Sequence, residues 1–227
     1  GVVTFLDVLG WKGIYNREAD PIEKLSLLVN DLVNASNLFR GRDSIPQIRS
    51  ISDTIVIYST AVATTDAVLV VDMHGEICAQ AIAASIVARI PVRGATAFGD
   101  FDVQESIYVG KAIDEAASWY ESGDWIGVHL TPSAMFTVDS ELQYWTEYSP
   151  PLKGSAGHKT QCVTWIDTWK KTVSGQDAKQ QLQSVFRDMG PITPHFAMKF
   201  INTLAYVDEL LNDEQAGQTE EGEVPNP

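Results

Sequence analysis

Cysteine is scarce in this chain of 227 residues: Cys78 and Cys162 are the only two. They are too few for a disulfide scaffold and show no metal-ligand spacing, so buried thiols in a reducing, cytoplasmic setting are expected. The four histidines, His74, His129, His158 and His195, fall at no ligand spacing and beside no candidate nucleophile, which disfavours a histidine-centred hydrolase. No run of about 18 apolar residues occurs, and the opening GVVTFLDVLG lacks the basic segment of an export signal. Neither a membrane span nor secretion is expected. Positive charge is short as well: 16 Lys and Arg stand against 30 Asp and Glu, for a net charge of −14. Such a balance argues against tight binding to nucleic acid or anionic lipid, both of which need clustered cations. A small anionic substrate stays open, provided that metals and a few specific Arg or Lys residues offset the acidic surroundings.

What the chain does have is apolar content: 44% of its residues are hydrophobic, enough for one sizeable core. A single domain over residues 1–212 is expected, followed by an acidic, Pro- and Gly-bearing tail, 213–227, that has almost nothing to bury and should be loose. Val2–Val8 is apolar on both faces, with Val3, Phe5 and Asp7 on one and Val2, Thr4 and Leu6 on the other, and predicts a central, covered strand. Asp20-Pro21-Ile22-Glu23 combines an N-cap, a proline at the first helical position and a capping-box glutamate. With Leu25, Leu28 and Leu32 at helical spacing, it predicts a helix over 21–39. QIRSISDTIVIY (47–58) reads as a strand and 66–89 as a helix around Gly75. Residues 90–98 and 106–109 read as an antiparallel hairpin joined through Gly99-Asp100. A short helix over 110–120, a strand over 125–130, a helix opened by Thr131-Pro132, a strand over 160–166 and an amphipathic helix opened by Thr193-Pro194 complete the pattern.

Two carboxylates interrupt the apolar segments. Asp7 ends a buried strand, just before Val8-Leu9-Gly10-Trp11-Lys12-Gly13. A carboxylate there is costly unless paired or metal-bound, and glycines let backbone N–H groups close on phosphate oxygens; the alternative is that Asp7 only caps the turn. In Arg49-Ser50-Ile51-Ser52-Asp53, period-two geometry puts Arg49, Ile51 and Asp53 on one strand face. Two strand-borne carboxylates are what a two-metal site for in-line displacement needs, with ions about 3.5–4 Å apart; the alternative is a surface Arg49–Asp53 ion pair of small value. Arg93, in Arg93-Gly94-Ala95, either supplies the bidentate phosphate contact that an acidic protein needs or is merely solvated. Lys153 and Lys159, flanking the glycines of 152–159, are weaker phosphate candidates.

FLDVLGWKG, RSISD, VRGATAFG and YVGKAIDEAASWYE occur in the order found in class III nucleotidyl cyclase catalytic domains, and roughly the first 120 residues resemble that family. The resemblance implies an α/β (α+β) fold with a ferredoxin-like βαββαβ core and additional C-terminal helices. It assigns two divalent metal ions, Mn²⁺ or Mg²⁺, to Asp7 and Asp53, with Leu6 and Val8 beside Asp7 in the metal set. The triphosphate falls to backbone groups after the first aspartate, here Gly10, Trp11 and Lys12. Arg93 holds the place of the family's phosphate arginine relative to Gly99. The family's base reader lies four positions before the second aspartate, which here is Arg49 rather than the lysine of adenylate-specific or the glutamate of guanylate-specific enzymes. The asparagine and arginine that orient the ribose and stabilise the transition state are replaced by Asp114 and Ser118. These departures fit better the bacterial pyrimidine cyclases of anti-phage Pycsar defence, to which FLDVLG and the RGA hairpin are also similar.

The implied protein is a homodimer with active sites at its interface, converting a nucleoside triphosphate into a 3′,5′-cyclic nucleotide that a separate effector senses. Arg49 is a multiple donor with no acceptor, so a base edge of carbonyl oxygens suits it and UTP is favoured over CTP, GTP and ATP. Two rival readings follow from the same residues. One is a catalytically silent, cyclase-like nucleotide-binding module, since the family's asparagine and arginine are missing. The other is a metal-dependent transferase of palm-like topology that joins two nucleotides.

Overall fold

The computed structural model describes the chain except residues 43, 155–156, 174–176, 190–191 and 222–227. Its first half runs β1 (Val2–Val8), α1 (Pro21–Ser36), β2 (Gln47–Ile51), β3 (Thr54–Ser59), α2 (Ala67–Val87) and β4 (Val92–Phe98). These four strands lie in the order β2-β3-β1-β4 and all pair antiparallel, which is the ferredoxin-like βαββαβ arrangement expected. β1 is central because it is apolar on both faces, and neighbours bond along its whole length, Asp7 facing Thr54 of β3 and Arg93 of β4. The second half adds β5 (Phe101–Gln104), β6 (Ile107–Gly110), α3 (Lys111–Trp119), β7 (Val128–Leu130), α4 (Pro132–Thr137), β8 (Trp145–Tyr148) and β9 (Thr160–Val163). Three helices follow: α5 (Ile166–Val173), α6 (Ala178–Asp188) and α7 (Pro194–Glu221). β7, β9 and β8 extend the sheet past β4 to seven strands, β7 running parallel to β4.

Several local expectations change. Residues 47–58 do not form one strand: Ile51 pairs with Thr54, leaving Ser52 and Asp53 as a two-residue hairpin turn with Ser52 at φ 56°. Asp53 therefore sits at a hairpin tip rather than on the face of a strand shared with Arg49 and Ile51. β4 does not pair with β6, because both edges of β4 are taken, by β1 and by β7; β6 pairs with β5 in a separate two-stranded sheet. Asp20 occupies the N-cap of α1, but its side chain makes no capping bond, and its carbonyl accepts from Lys24 N at 3.1 Å. β8, α5 and α6 had no counterpart in the sequence reading. α7 continues through Glu221, beyond the predicted start of a loose tail, and 222–227 lie outside the described residues.

The two faces of the sheet differ in cover. On one, α1 and α2 bury Leu6, Val8, Ile55 and Ile57 in the main core. The α2 region, Thr64–Val87, is long and apolar enough by length and composition to cross a membrane, and 67% of that window is buried inside the fold. Gly75 lies in mid-helix where a side chain would collide with Trp145, whose indole N–H donates to Val71 O at 3.2 Å. The opposite face carries α3 and the β5–β6 hairpin, with Val3, Val56, Tyr58 and Ala97 packed on Ala112, Ile113 and Ala116. α3 is nine residues long, and Asp7, Thr54 and Arg93 stand side by side at the end of this face.

Candidate active site

Asp7 and Arg93 are cross-strand partners, and their side chains meet on the less covered face. Arg93 Nε and Nη2 both donate to Asp7 Oδ2, at 3.1 and 3.0 Å, and Nη1 donates to Gly123 O at 2.8 Å. The side chains keep only 8% (Arg93) and 13% (Asp7) of their surface exposed. Burial pushes the Asp7 carboxyl above its ordinary range; Arg93 counteracts this, while the nearby charges of Asp53 and Glu121 add to it. The arginine that the resemblance assigns to phosphate is thus engaged with Asp7, which the resemblance assigns to metal, and with a backbone carbonyl.

Asp53 comes to the same place through the backbone, since Val8 N donates to Asp53 O at 3.2 Å. Leu6 and Val8 turn their side chains into the main core, so only their backbone atoms face this region. Arg49 pairs with Val56, two residues along β3 from Thr54, and is exposed, its Nη1 donating to Ile48 O at 3.2 Å. Among the described residues no Arg49–Asp53 ion pair forms. Arg49 instead lies close enough to Tyr108 for its charge to oppose the burial-driven rise of that phenol, and Tyr108 stacks edge-on against Tyr58 with centroids 5.7 Å apart.

Gly10 and Gly13 hold left-handed backbone, φ 72° and 81°, in the loop after β1. Arg17, which the sequence reading passed over, donates to Leu9 O at 2.9 Å and Gly10 O at 3.3 Å and lies 5.9 Å from the Phe196 ring centroid. A cavity of about 220 Å³ opens here, lined by Gly10, Lys12, Asn16, Arg17, Thr193 and Phe196 among others. Trp11 is half-buried against the main core. Asp114 is exposed on α3 and its carbonyl accepts from Ser118 Oγ at 2.6 Å. Lys153 approaches the site from the other side, its Nζ donating to Glu121 O at 2.9 Å, with Arg93 and Lys199 near enough to lower its pKa alongside burial. Lys159 is drawn away to Glu147.

The segment 120–124 is the part that sequence reasoning missed. Tyr120 packs edge-on against Phe5 at 5.8 Å and donates to Glu121 Oε1 at 3.1 Å; burial and the charges of Glu121 and Asp7 push its phenol up to about 12. Tyr120 and Glu121 end the last stretch that carried the resemblance, so a signal was present. Nothing in the sequence pointed to the pairing of Asp124 with Lys199, which are 75 positions apart.

The donor set suits hard divalent ions, which take carboxylate and carbonyl oxygens. Asp7 Oδ1 accepts none of the bonds from Arg93, and Asp53 and Glu121 lie close enough for their charges to act on Asp7. Asp7 and Asp53 with adjacent backbone oxygens would be the donors to such ions; among the described residues no group of three or more His, Cys, Asp or Glu side chains forms a ready-made metal cluster.

No protein-family model matches the chain, and no curated protein matches it. Solved structures do. The catalytic core of a rhodopsin-guanylyl cyclase with converted specificity, in complex with ATPαS, is 16% identical with a TM-score of 0.51, covering 72% of this chain and 94% of that one. The guanylate cyclase domain of RhGC from Catenaria anguillulae, in complex with GTP, is 15% identical with a TM-score of 0.50 over the same shares. The β2-β3-β1-β4 sheet with its two helices on one face is therefore the class III nucleotidyl cyclase core fold, and Asp7 and Asp53 lie at one end of the sheet.

Proposed function

We propose that the chain is a pyrimidine nucleotidyl cyclase that converts UTP into 3′,5′-cyclic UMP and pyrophosphate, working as a homodimer and making a second messenger for a separate effector in bacterial anti-phage defence. The observation that carries the reading is the convergence of Asp7 and Asp53 at the end of the sheet, through the Val8 N–Asp53 O bond. Asp7 and Asp53 would hold two Mn²⁺ or Mg²⁺ ions, which would supply Lewis acidity towards the attacking 3′-hydroxyl and charge neutralisation for the triphosphate. The chain's own part is positional. Asp7 and Asp53 fix where the ions sit, and the left-handed turn at Gly10 brings backbone N–H groups of Gly10, Trp11 and Lys12 to the triphosphate. Lys153 and Lys12 supply the local positive charge that a protein of net charge −14 otherwise lacks. Arg93 holds Asp7 in place and reaches phosphate only by giving up one of its present bonds.

Arg49 is the base reader in this proposal. Its exposed guanidinium beside Tyr108 offers donors and an aromatic surface, which suits a small base with carbonyl oxygens. β3 separates its strand from β1, about 10 Å away at the usual spacing of sheets, which favours base contacts made across a dimer to the metals of the partner copy. Ile51 on this face and Ile107 and Val109 on the β5–β6 hairpin are exposed apolar side chains that such a dimer covers. The defence role rests on the sequence similarity to Pycsar cyclases.

One observation favours a second reading, the silent nucleotide-binding module: Arg93 is spent on Asp7, and Asp114 and Ser118 stand where the family carries its asparagine and arginine. Incubating the protein with Mn²⁺ and each of UTP, CTP, GTP and ATP, then weighing the products, decides between them. A mass of cyclic UMP supports the proposal, a joined dinucleotide supports the transferase, and no turnover of any substrate supports the silent module.

A further inference from the structure

The C-terminal helix α7 reaches into the site region by one face. Lys199, Asn202 and Thr203 are three and four residues apart, hence on one side of the helix, and all three bind the segment that leads into β7. Lys199 Nζ donates to Asp124 Oδ1 at 2.7 Å, Asn202 Nδ2 to Asp124 O at 2.8 Å, and Thr203 Oγ1 accepts from Ile126 N at 2.8 Å. Lys199 is only 2% exposed and Thr203 is fully buried, so these are not surface ornaments. A buried ammonium is costly unless its partner stays in place, which makes Asp124 a fixed point.

The residue before Asp124 supplies the link. Gly123 O accepts from Arg93 Nη1 at 2.8 Å, and the other two guanidinium nitrogens both fall on Asp7 Oδ2. Arginine and carboxylate usually meet fork to fork, one donor on each oxygen. Here the third bond, to Gly123, pins the guanidinium plane so that it covers one oxygen of Asp7 and leaves Oδ1 clear.

We infer that Lys199, through Asp124 and the Gly123 carbonyl, is a positioning residue that keeps Arg93 off one oxygen of Asp7 and so preserves its capacity to bind a metal ion. The inference rests on the two-metal reading of Asp7 above. Released from Gly123, Arg93 slides to the fork-to-fork arrangement and competes with the metal for both oxygens. Helix α7 lies outside the βαββαβ core, and the state of its docking thereby sets metal affinity at the other end of the relay.

The test is Mn²⁺ binding to the full chain, read by the electron paramagnetic resonance of free Mn²⁺ and without reference to turnover, with thermal unfolding as a check on folding. Lys199→Met is expected to weaken Mn²⁺ binding about tenfold, in the range of lost outer-shell partners. Asn202→Ala, a milder cut at the same contact, shifts it in the same direction and decides the matter if Lys199→Met does not fold. In an Arg93→Lys background, where the pinned guanidinium is gone, neither substitution has a further effect. Unchanged Mn²⁺ affinity in the folded variants, or losses that simply multiply with that of Arg93→Lys, overturns the relay. Asp7→Asn separates the two ideas: if it binds Mn²⁺ as tightly as wild type, the two-metal reading itself fails, whereas its loss of Mn²⁺ beside an unaffected Lys199→Met defeats the relay alone.

Discussion

Val8 donates its backbone N–H to the carbonyl of Asp53 over 3.2 Å, and this bond ties the tip of the β2–β3 hairpin to the strand end that carries Asp7. The two carboxylates are therefore brought together by main chain, not by each other's side chains. Neither side chain is needed to tie the two elements together, although Asp7 also holds Arg93.

Asp7→Asn and Asp53→Asn are each expected to fall below a tenth of wild-type turnover, a loss of at least about 1.4 kcal/mol of barrier stabilisation. Their stabilities should differ. Asp53→Asn leaves the melting temperature where it was, because its carboxylate holds nothing buried among the described contacts. Asp7→Asn removes the charge that faces a guanidinium only 8% exposed and costs about 1–3 kcal/mol, a fall of several degrees. Calorimetry and a pyrophosphate assay on both variants check this; more than a tenth of activity in either removes that residue from the metal set.

The core was legible because hydrophobic pattern and chain order agree. A Val2–Val8 segment with apolar residues on both faces has to be central, Pro21 has to open a helix, and the two carboxylates stand out against strands that ought to be greasy. What escaped was set by contacts distant in sequence. Nothing in QIRSISDTIVIY forbids a continuous strand, and only pairing of Ile51 with Thr54 reveals the turn at Ser52-Asp53. Arg93 looked free for phosphate because its register opposite Asp7 exists only once β1 and β4 pair. The contribution of Lys199 depends on a helix docking 75 positions away from Asp124, for which local pattern carries no signal.

If metals and base reader belong to different copies, two impaired variants can repair each other. Arg49→Ala, with reduced UTP turnover, and Asp53→Asn, inactive alone, should exceed the sum of their separate UTP turnovers on mixing, because about half of randomly exchanged dimers pair one copy of each and such a dimer holds one intact site. Subunit exchange is followed independently with fluorescently labelled copies. Exchange without recovered turnover would place all the groups in one chain.

His129 is wholly buried on β7, neither ring nitrogen has a hydrogen-bond partner among the described residues, and burial, with His158 adding to it, depresses its pKa to about 4. The unfolded ring takes its proton near the ordinary 6.5, so between these two values the unfolded chain binds more protons and stability falls as pH drops. The contribution is complete above pH 6.5 and is lost on the way down to about 4. His129→Leu should flatten the fall in melting temperature over that window without altering the plateau above it. An unchanged slope in the variant means that other groups, His74 among them with a pKa near 3, account for the acid sensitivity.

The base preference turns on which groups Arg49 can satisfy. Its guanidinium donates only; uracil presents O2 and O4 as acceptors, whereas cytosine and adenine each place an amino donor at the corresponding edge. A buried donor facing a donor costs about 1–3 kcal/mol, or roughly 5- to 150-fold in favour of UTP over CTP. Guanine also offers an acceptor, O6, and is disfavoured only by its larger ring system. The Tyr58–Tyr108 pair beside Arg49 sharpens the expectation, since a T-shaped pair 5.7 Å apart leaves the half-buried Tyr108 ring as a neighbour for the base. Turnover of UTP, CTP, GTP and ATP should therefore be compared in wild type, Arg49→Ala and Tyr108→Ala. Arg49→Ala should lower UTP turnover far more than CTP turnover and so compress the ratio between them, because only UTP loses an acceptor's partner. Tyr108→Ala should depress all four substrates without changing that ratio, since an aromatic neighbour does not distinguish carbonyl from amine. Equal proportional losses in Arg49→Ala mean that the arginine binds phosphate instead, and a wild-type preference for ATP defeats the pyrimidine assignment outright.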